Sequence, residues 1–260
     1  MKKKKRIIKW IALSFFGIKG GIAKTVSFLA FAQILHDDYS KRVLLIDIDK
    51  QASSSKTLGC YTPNGLTAAD LLTAKDVIIE KVIRHSEYGI NVIPANFELI
   101  RANKEVLLDT LHPQQLRLKR QLEPIRDKYD YCIIDYPIDD NMAVINALVV
   151  TDDVLVPIKV DRYALDGMEY VIDTIENIKG FNPNIQLKGC FATMYVRSNL
   201  YKEGMNALSD SLGLKFLKTP IRQTVKVGES TFEKPLMSYA PNCSAAEDYK
   251  KLVAEYLSLE

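Results

Sequence analysis

The chain has 260 residues, of which 47% are hydrophobic and 26% are charged, so it can bury a sizeable core and is neither disordered nor fibrous. Its formal net charge is +3, and the segment 2–6, Lys-Lys-Lys-Lys-Arg, alone contributes five positive charges. The rest of the chain is therefore slightly acidic, which excludes a constitutively basic, histone-like DNA-binding protein.

Four cysteines and three histidines are scattered along the chain without the spacing of a metal site. A chain of this length does not need disulfides for stability, so the cysteines are interpreted as reduced thiols of a cytoplasmic protein. They are Cys60, Cys132, Cys190 and Cys243.

The start of the chain joins the basic segment 2–6 to an apolar run at 7–18, a pattern shared with secretory signal peptides. Lys9 interrupts that run and no small-residue cleavage site follows it. We therefore interpret the run as a first β-strand and keep a signal peptide as the lesser alternative. No other stretch approaches the roughly 20 apolar residues of a membrane-spanning helix. The sequence predicts a soluble protein with a basic arm at 1–6 and one domain at 7–260.

Apolar, β-rich runs alternate with segments of helical periodicity along the chain. Because the runs are apolar throughout, they are typical of parallel strands covered by helices on both faces. The sequence therefore predicts a three-layer α/β fold with a mostly parallel, twisted sheet flanked by helices. The predicted strands span 7–16, 42–47, 90–94, 129–135, 153–158, 187–194 and 214–219, and the predicted helices span 24–36, 66–72, 113–128, 141–149, 166–179, 200–212 and 245–257.

A glycine-rich turn at 17–25, Gly-Ile-Lys-Gly-Gly-Ile-Ala-Lys-Thr, joins the first predicted strand to the first predicted helix. In such a turn the backbone N–H groups and the helix N-terminus can surround phosphate oxygens, a lysine can reach the terminal phosphates, and a threonine hydroxyl can bind magnesium. Ile18 and Ala23 stand where the general pattern has glycine, so a simple strand-to-helix turn with surface lysines is the alternative. The predicted nucleotide-binding residues are Lys19, Gly20, Gly21, Ile22, Ala23, Lys24, Thr25 and Val26.

Acidic residues end two of the predicted strands. Asp47 and Asp49 are two apart, so their carboxylates point to one side if the chain stays extended, although solvated strand-end acids have the same spacing. Asp135 follows four apolar residues at the end of another strand, where it could hold magnesium through water or merely cap a turn.

The segment 19–25 resembles the deviant Walker A loop of the ParA/MinD family of P-loop ATPases, whose signature lysine stands at the position of Lys19. The likeness continues in order along the chain. Segment 42–52 is similar to the family's V-L-L-I-D-x-D-P-Q-G motif, 129–137 to its Walker B strand, 164–167 to its A-L-E-G motif and 239–249 to its C-terminal segment. The resemblance implies a P-loop NTPase fold and an ATPase.

The family's roles carry over to matching positions only as implications of the resemblance. ATP and Mg²⁺ are the implied cofactors, with Thr25, Asp47 and Asp135 on the metal side. Lys19 would reach the phosphates of a partner subunit, making an ATP-dependent homodimer, and Asp49 would position the hydrolytic water. Lys19 and Asp49 are thus the predicted catalytic residues.

Several departures from the family pattern surround the expected γ-phosphate position. Lys50 replaces a proline, Ala52 a glycine and Val26 a threonine, and the segment 138–141 replaces the usual P-S-L-G switch. We therefore expect ATP binding with a weak intrinsic rate of hydrolysis.

Because the glycine-rich turn begins within the first twenty residues, we expect no N-terminal helix-turn-helix domain, and the resemblance is to short, Soj-like ParA proteins. These partition plasmids or chromosomes as ATP dimers that bind DNA non-specifically and respond to a ParB-like centromere-binding partner, which implies association with the nucleoid. The family's two basic DNA-binding positions match Arg197 and Lys226.

Of three alternative classes, the first two stay open and the third does not fit. A MinD-like, membrane-associated positioning ATPase would end in a basic amphipathic helix, whereas the tail 247–257 mixes acids with bases, so no membrane binding is expected. A nucleotide-binding adaptor with little hydrolysis is compatible with the departures. An iron-sulfur ATPase needs two cysteines beside a dimer axis. Cys132 lies inside a predicted buried strand, so it is wrongly placed for a shared cluster.

Overall fold

The computed structural model describes residues 10–17, 19–74, 76–161, 164–212 and 215–259. The predicted basic arm at 1–6 lies outside the described residues. The strands of the described part are β1 (Ile11–Phe15), β2 (Val43–Asp47), β3 (Arg84–His85), β4 (Asn91–Ile93), β5 (Tyr131–Asp135), β6 (Asp153–Ile158) and β7 (Gln186–Ala192).

These strands form one seven-stranded sheet in the order β3-β4-β2-β5-β1-β6-β7. Only the short β3–β4 pair is antiparallel among the described strands, and every other pair is parallel. The central strands are buried along their whole length. The predicted three-layer fold with a mostly parallel sheet is therefore confirmed.

The described helices are α1 (Lys24–Asp37), α2 (Ser53–Thr57), α3 (Ala68–Thr73), α4 (Ile79–Val82), α5 (Glu98–Leu108), α6 (Arg117–Leu122), α7 (Met142–Val150), α8 (Ala164–Ile178), α9 (Asn199–Leu212), α10 (Val225–Glu233), α11 (Leu236–Tyr239) and α12 (Ser244–Leu257). Helices α1 and α12 pack on one face of the sheet, and α3, α5, α6, α7 and α8 pack on the other. None of the helices in the described ranges is long and apolar enough to cross a bilayer.

Two predicted elements differ from the structure. The predicted helix 113–128 divides into α6 and a 3-10 turn at Glu123–Lys128, because Pro124 has no N–H to continue an α-helix. The predicted strand 214–219 is wrong within its described part, where a single bridge joins Phe216 to Cys190. The Glu255 carboxylate of α12 instead accepts hydrogen bonds from the next backbone N–H groups, at 218 and 219.

The cysteines differ in their surroundings. Cys60, Cys132 and Cys190 are buried, and burial raises the pKa of each thiol, to about 12 for Cys190. Cys243 is half-buried and immediately precedes α12. The expected reduced thiols are free, and Cys132 lies inside β5, away from any surface.

Candidate nucleotide-binding site

The glycine-rich turn leaves β1 at the carboxyl edge of the sheet and ends at α1. Gly21 has φ +73° and Ala23 has φ 62°, so both adopt the left-handed conformation that turns the chain. A Cβ atom added at Gly20 or Gly21 would meet no atom within 4 Å, so the space beside the turn is open. Ala23 supplies no side-chain cap and the first turn of α1 has no acidic residue, which leaves its N–H groups suited to an anion.

Lys24 is the residue that connects this turn to the acidic strand ends. Its Nζ lies 3.0 Å from Asp135 Oδ1 and 5.2 Å from the centre of the Tyr136 ring. The side chains are 12% exposed for Lys24 and 3% for Asp135, so the ion pair is largely removed from water. A Cβ at Gly17 would lie 3.1 Å from Lys24 Cδ, which shows how closely the backbone approaches the lysine stem.

Asp47 and Asp135 lie side by side, because they are register partners at the ends of β2 and β5. The Asp47 carboxylate is buried and accepts three hydrogen bonds, from Asp49 N (3.0 Å), Ser55 N (2.9 Å) and Ser55 Oγ (2.7 Å). Burial raises the pKa of Asp47 to about 7, and repulsion from Asp135 contributes in the same direction. A nearby cation would therefore stabilise the ionised pair.

The residues at this edge fit a magnesium ion. Thr25 is half-buried in the first turn of α1, and the neighbouring acids supply further oxygen ligands, the type that Mg²⁺ prefers. Over the described ranges, no group of three or more His, Cys, Asp or Glu side chains could form an all-protein cage. The donor set suits an ion held by few protein groups together with phosphate oxygens and water.

The two predicted catalytic residues lie on separate loops at this edge. Asp49 is half-buried beyond the end of β2, and its Oδ1 accepts a hydrogen bond from Gln51 N at 2.8 Å, so the extended geometry assumed for the acidic pair stops at Asp47. Lys19 is 35% exposed, and its Nζ lies 2.7 Å from an oxygen of Asp161, which follows β6. Their predicted roles remain predictions.

The two predicted DNA-binding residues lie on segments that contact each other. A backbone bridge joins Tyr195 to Arg222, two residues before Arg197 and four before Lys226. Arg197 is exposed, whereas Lys226 forms an ion pair with Glu229 at 2.7 Å at the start of α10. The structure therefore brings these two distant segments together, although Arg222 and Lys226 are each paired with carboxylates there.

Four further side chains of the site were not indicated by any sequence motif. They are Ser54 and Ser55, which hydrogen-bond to the two acids, Tyr136, which lies beside Lys24, and Asp161, which pairs with Lys19. The three consecutive serines at 53–55, which begin four residues after Asp49, were the available signal.

Comparison with known proteins agrees with this geometry. A family model described as an AAA domain matches residues 8–187. The chain is 32% identical to the chromosome partitioning protein ParA of Caulobacter vibrioides over 93% of this chain and 92% of the relative. It is 31% identical to the chromosome-partitioning ATPase Soj of Treponema pallidum, over 95% of this chain and 96% of the relative.

A solved structure has the same fold. Cobyrinic acid a,c-diamide synthase from Mycobacterium smegmatis, determined with a bound ATP analogue and magnesium, has a TM-score of 0.80 to this chain. The two are 25% identical, and the match covers 94% of this chain and 93% of the other. Together with the sequence matches, this places the chain in the ParA/MinD family of P-loop ATPases.

Proposed function

We propose that this protein is a DNA-partition ATPase that dimerises on binding ATP, binds DNA without sequence preference and is stimulated by a ParB-like centromere-binding protein. Family membership and relatives named for chromosome partitioning support this function. Its place of action is the nucleoid. Either a plasmid or a chromosome would serve as cargo.

The observation that carries the nucleotide part of the proposal is the position of Lys24. Its ammonium group pairs with the buried Asp135 at 3.0 Å, and the turn just before it leaves open space, so Lys24 could hold terminal phosphates beside a metal site. Thr25, Asp47 and Asp135 would hold a bound Mg²⁺ ion, which would supply positive charge that neutralises the phosphates. Asp49, on the adjacent loop, would orient the attacking water.

The nucleotide part is tested by Mg²⁺-dependent ATP binding and turnover. Lys24→Ala should lose ATP binding, because it removes a charge-assisted contact to phosphate. Asp49→Ala should bind ATP but not hydrolyse it. Unchanged ATP affinity in Lys24→Ala would contradict the site. If the wild type binds ATP but does not hydrolyse it, even with DNA and partner protein, the nucleotide-binding adaptor is favoured.

The partly exposed position of Lys19 is compatible with the proposed role in an ATP-dependent dimer. Its pair with Asp161 involves side chains that are 35% and 32% exposed, and such solvent-accessible pairs typically contribute less than about 1 kcal/mol. Lys19 can therefore exchange Asp161 for a partner subunit's nucleotide at small cost. Lys19→Ala should bind ATP yet stay monomeric in light scattering. ATP-driven dimerisation equal to the wild type would contradict the role.

The DNA part rests on the adjacent segments that carry Arg197 and Lys226. We call the region of Arg197 and Lys226 the basic surface. Two subunits would present two copies of it, so DNA binding should require ATP and weaken steeply with salt, with log K falling by about 0.9 per unit of log salt for each phosphate contact. Arg197→Glu and Lys226→Glu should lose DNA while dimerising normally. Lys104→Glu, an exposed change on the opposite face of the sheet, is the matched control. Equal DNA affinity in all variants would contradict the surface.

The packing of α12 argues against the membrane-associated alternative. The large apolar side chains Tyr249, Leu252, Val253 and Tyr256 of this helix are buried against the domain, and Leu257 packs there half-buried. An interfacial helix needs its apolar face free for lipid. Vesicle flotation with ATP should therefore leave the protein unbound.

A further inference from the structure

Ser54 occupies an unusual place for a hydroxyl group. It lies in the first turn of α2, its side chain is fully buried, and its Oγ donates a hydrogen bond to Asp135 Oδ2 at 2.6 Å. The two residues are 81 positions apart in the chain, so the contact joins two separate loops of the carboxyl edge.

Because of this hydrogen bond, the two oxygens of the Asp135 carboxylate have different partners. Oδ2 is held by Ser54, and Oδ1 faces Lys24 at 3.0 Å. A short hydroxyl-to-carboxylate bond is charge-assisted and directional, so it fixes the rotation of the carboxylate about its side chain. One oxygen of the carboxylate therefore points toward Ser54, and the other points toward Lys24.

The neighbouring serine has a different role. Ser55 binds Asp47 through both N and Oγ, and its Oγ also accepts a hydrogen bond from Ala95 N, so it ties three backbone segments together. In the described residues, the Ser54 hydroxyl has the Asp135 carboxylate as its hydrogen-bond partner. Loss of the Ser54 hydroxyl should therefore change the carboxylate's orientation more than the fold.

We propose that Ser54 is a positioning residue that orients the Asp135 carboxylate for the metal side of the nucleotide site. The inference rests on the proposed ATP and Mg²⁺ binding. Groups that hydrogen-bond to the acids of a metal site set their orientation, and their removal typically weakens metal binding about 10–100-fold.

The test is Mg²⁺ titration of the full chain with ATP, measured by calorimetry, beside ATP binding in EDTA. Ser54→Ala should lose about 10-fold in apparent Mg²⁺ affinity at saturating ATP. Its ATP affinity in EDTA should stay within about twofold, because the loop and Lys24 are untouched. Ser53→Ala, an exposed change one residue away in the same helix, should match the wild type in both measurements.

A second variant separates orientation from folding. Ser54→Cys keeps nearly the same volume with a weaker donor, so its Mg²⁺ affinity should lie between Ser54→Ala and the wild type. Two results would overturn the inference if the wild type still binds ATP in a Mg²⁺-dependent way. One is an unchanged Mg²⁺ affinity in Ser54→Ala, and the other is an equal loss of ATP affinity with and without Mg²⁺. A wild type without that dependence would overturn the proposed function itself, and this inference with it.

Discussion

Two alanines replace expected glycines. Ala23 stands where the general phosphate-loop pattern has glycine, and Ala52 where the family motif has it. Both adopt left-handed backbone conformations. Ala23 has φ 62° and ψ 26° before α1, and Ala52 has φ 54° and ψ 37° before α2. A side chain in this region is strained by roughly 1–2 kcal/mol relative to glycine. Glycine, however, loses about 0.5–1 kcal/mol more backbone entropy on folding.

The burial of the two methyl groups makes the expected results differ. Ala23 is half-buried, so Ala23→Gly should stabilise the fold by roughly 0.5–1 kcal/mol. This is the backbone strain that the substitution removes minus the extra entropy that glycine loses on folding. Ala52 is fully buried, and removing its methyl group also loses about 0.8 kcal/mol of apolar burial. The effects should nearly cancel in Ala52→Gly.

Thermal unfolding without nucleotide measures this difference. Ala23→Gly should raise Tm by about 1–4 °C, given roughly 2–4 °C per kcal/mol for a domain of this size, and Ala52→Gly should change it little. ATP affinity should change less than about twofold, because the N–H groups of the turn remain in place. A lower Tm for Ala23→Gly, or an equal rise for both variants, would refute the strain argument.

Further predictions concern the acids, the aromatic ring and the basic surface. Tyr136→Phe should retain ATP affinity and Tyr136→Leu should weaken it several-fold in calorimetry, because the ring face beside Lys24 stabilises the ammonium group; equal affinities would contradict this. The pKa of Asp47 is raised from 3.8 to about 7, so the folded state holds the proton more tightly, and the resulting stability is lost as pH rises from about 4 to 7; Tm without Mg²⁺ should fall over that range. Asp47→Asn should flatten that fall, and an unchanged slope would assign it to other groups. Glu229→Gln releases Lys226 from its ion pair, so it should strengthen ATP-dependent DNA binding in fluorescence anisotropy; weaker binding would refute the assignment.

The sheet and the glycine-rich turn were predictable because their signals are local. Continuous apolar runs ending in Asp47 and Asp135 indicated buried parallel strands, and the structure pairs these two strands in parallel with the two acids side by side. Helix α5 was missed because large apolar residues also occupy its outward side. Ile100 and Leu107 are 44% and 61% exposed there, which obscures the single apolar stripe of an ordinary surface helix.

The contacts within the site were not predictable for a different reason. Ser54 and Asp135, or Lys19 and Asp161, meet only because the sheet brings strand ends from distant parts of the chain together. The hydrophobic periodicity of a sequence does not indicate such long-range contacts. Arg197 and Lys226 were matched by motif, but the backbone bridge beside them required the folded chain.

The uneven burial of the four thiols has a practical consequence. Cys243 alone combines partial exposure with a place beside the basic surface, since the carbonyl oxygen of its neighbour Ser244 accepts a hydrogen bond from Arg222 at 3.2 Å. A maleimide dye added to the native protein should therefore attach at this position first, without any engineered cysteine. The fluorescence of such a dye on the wild-type chain would therefore offer a direct test of the proposed DNA binding.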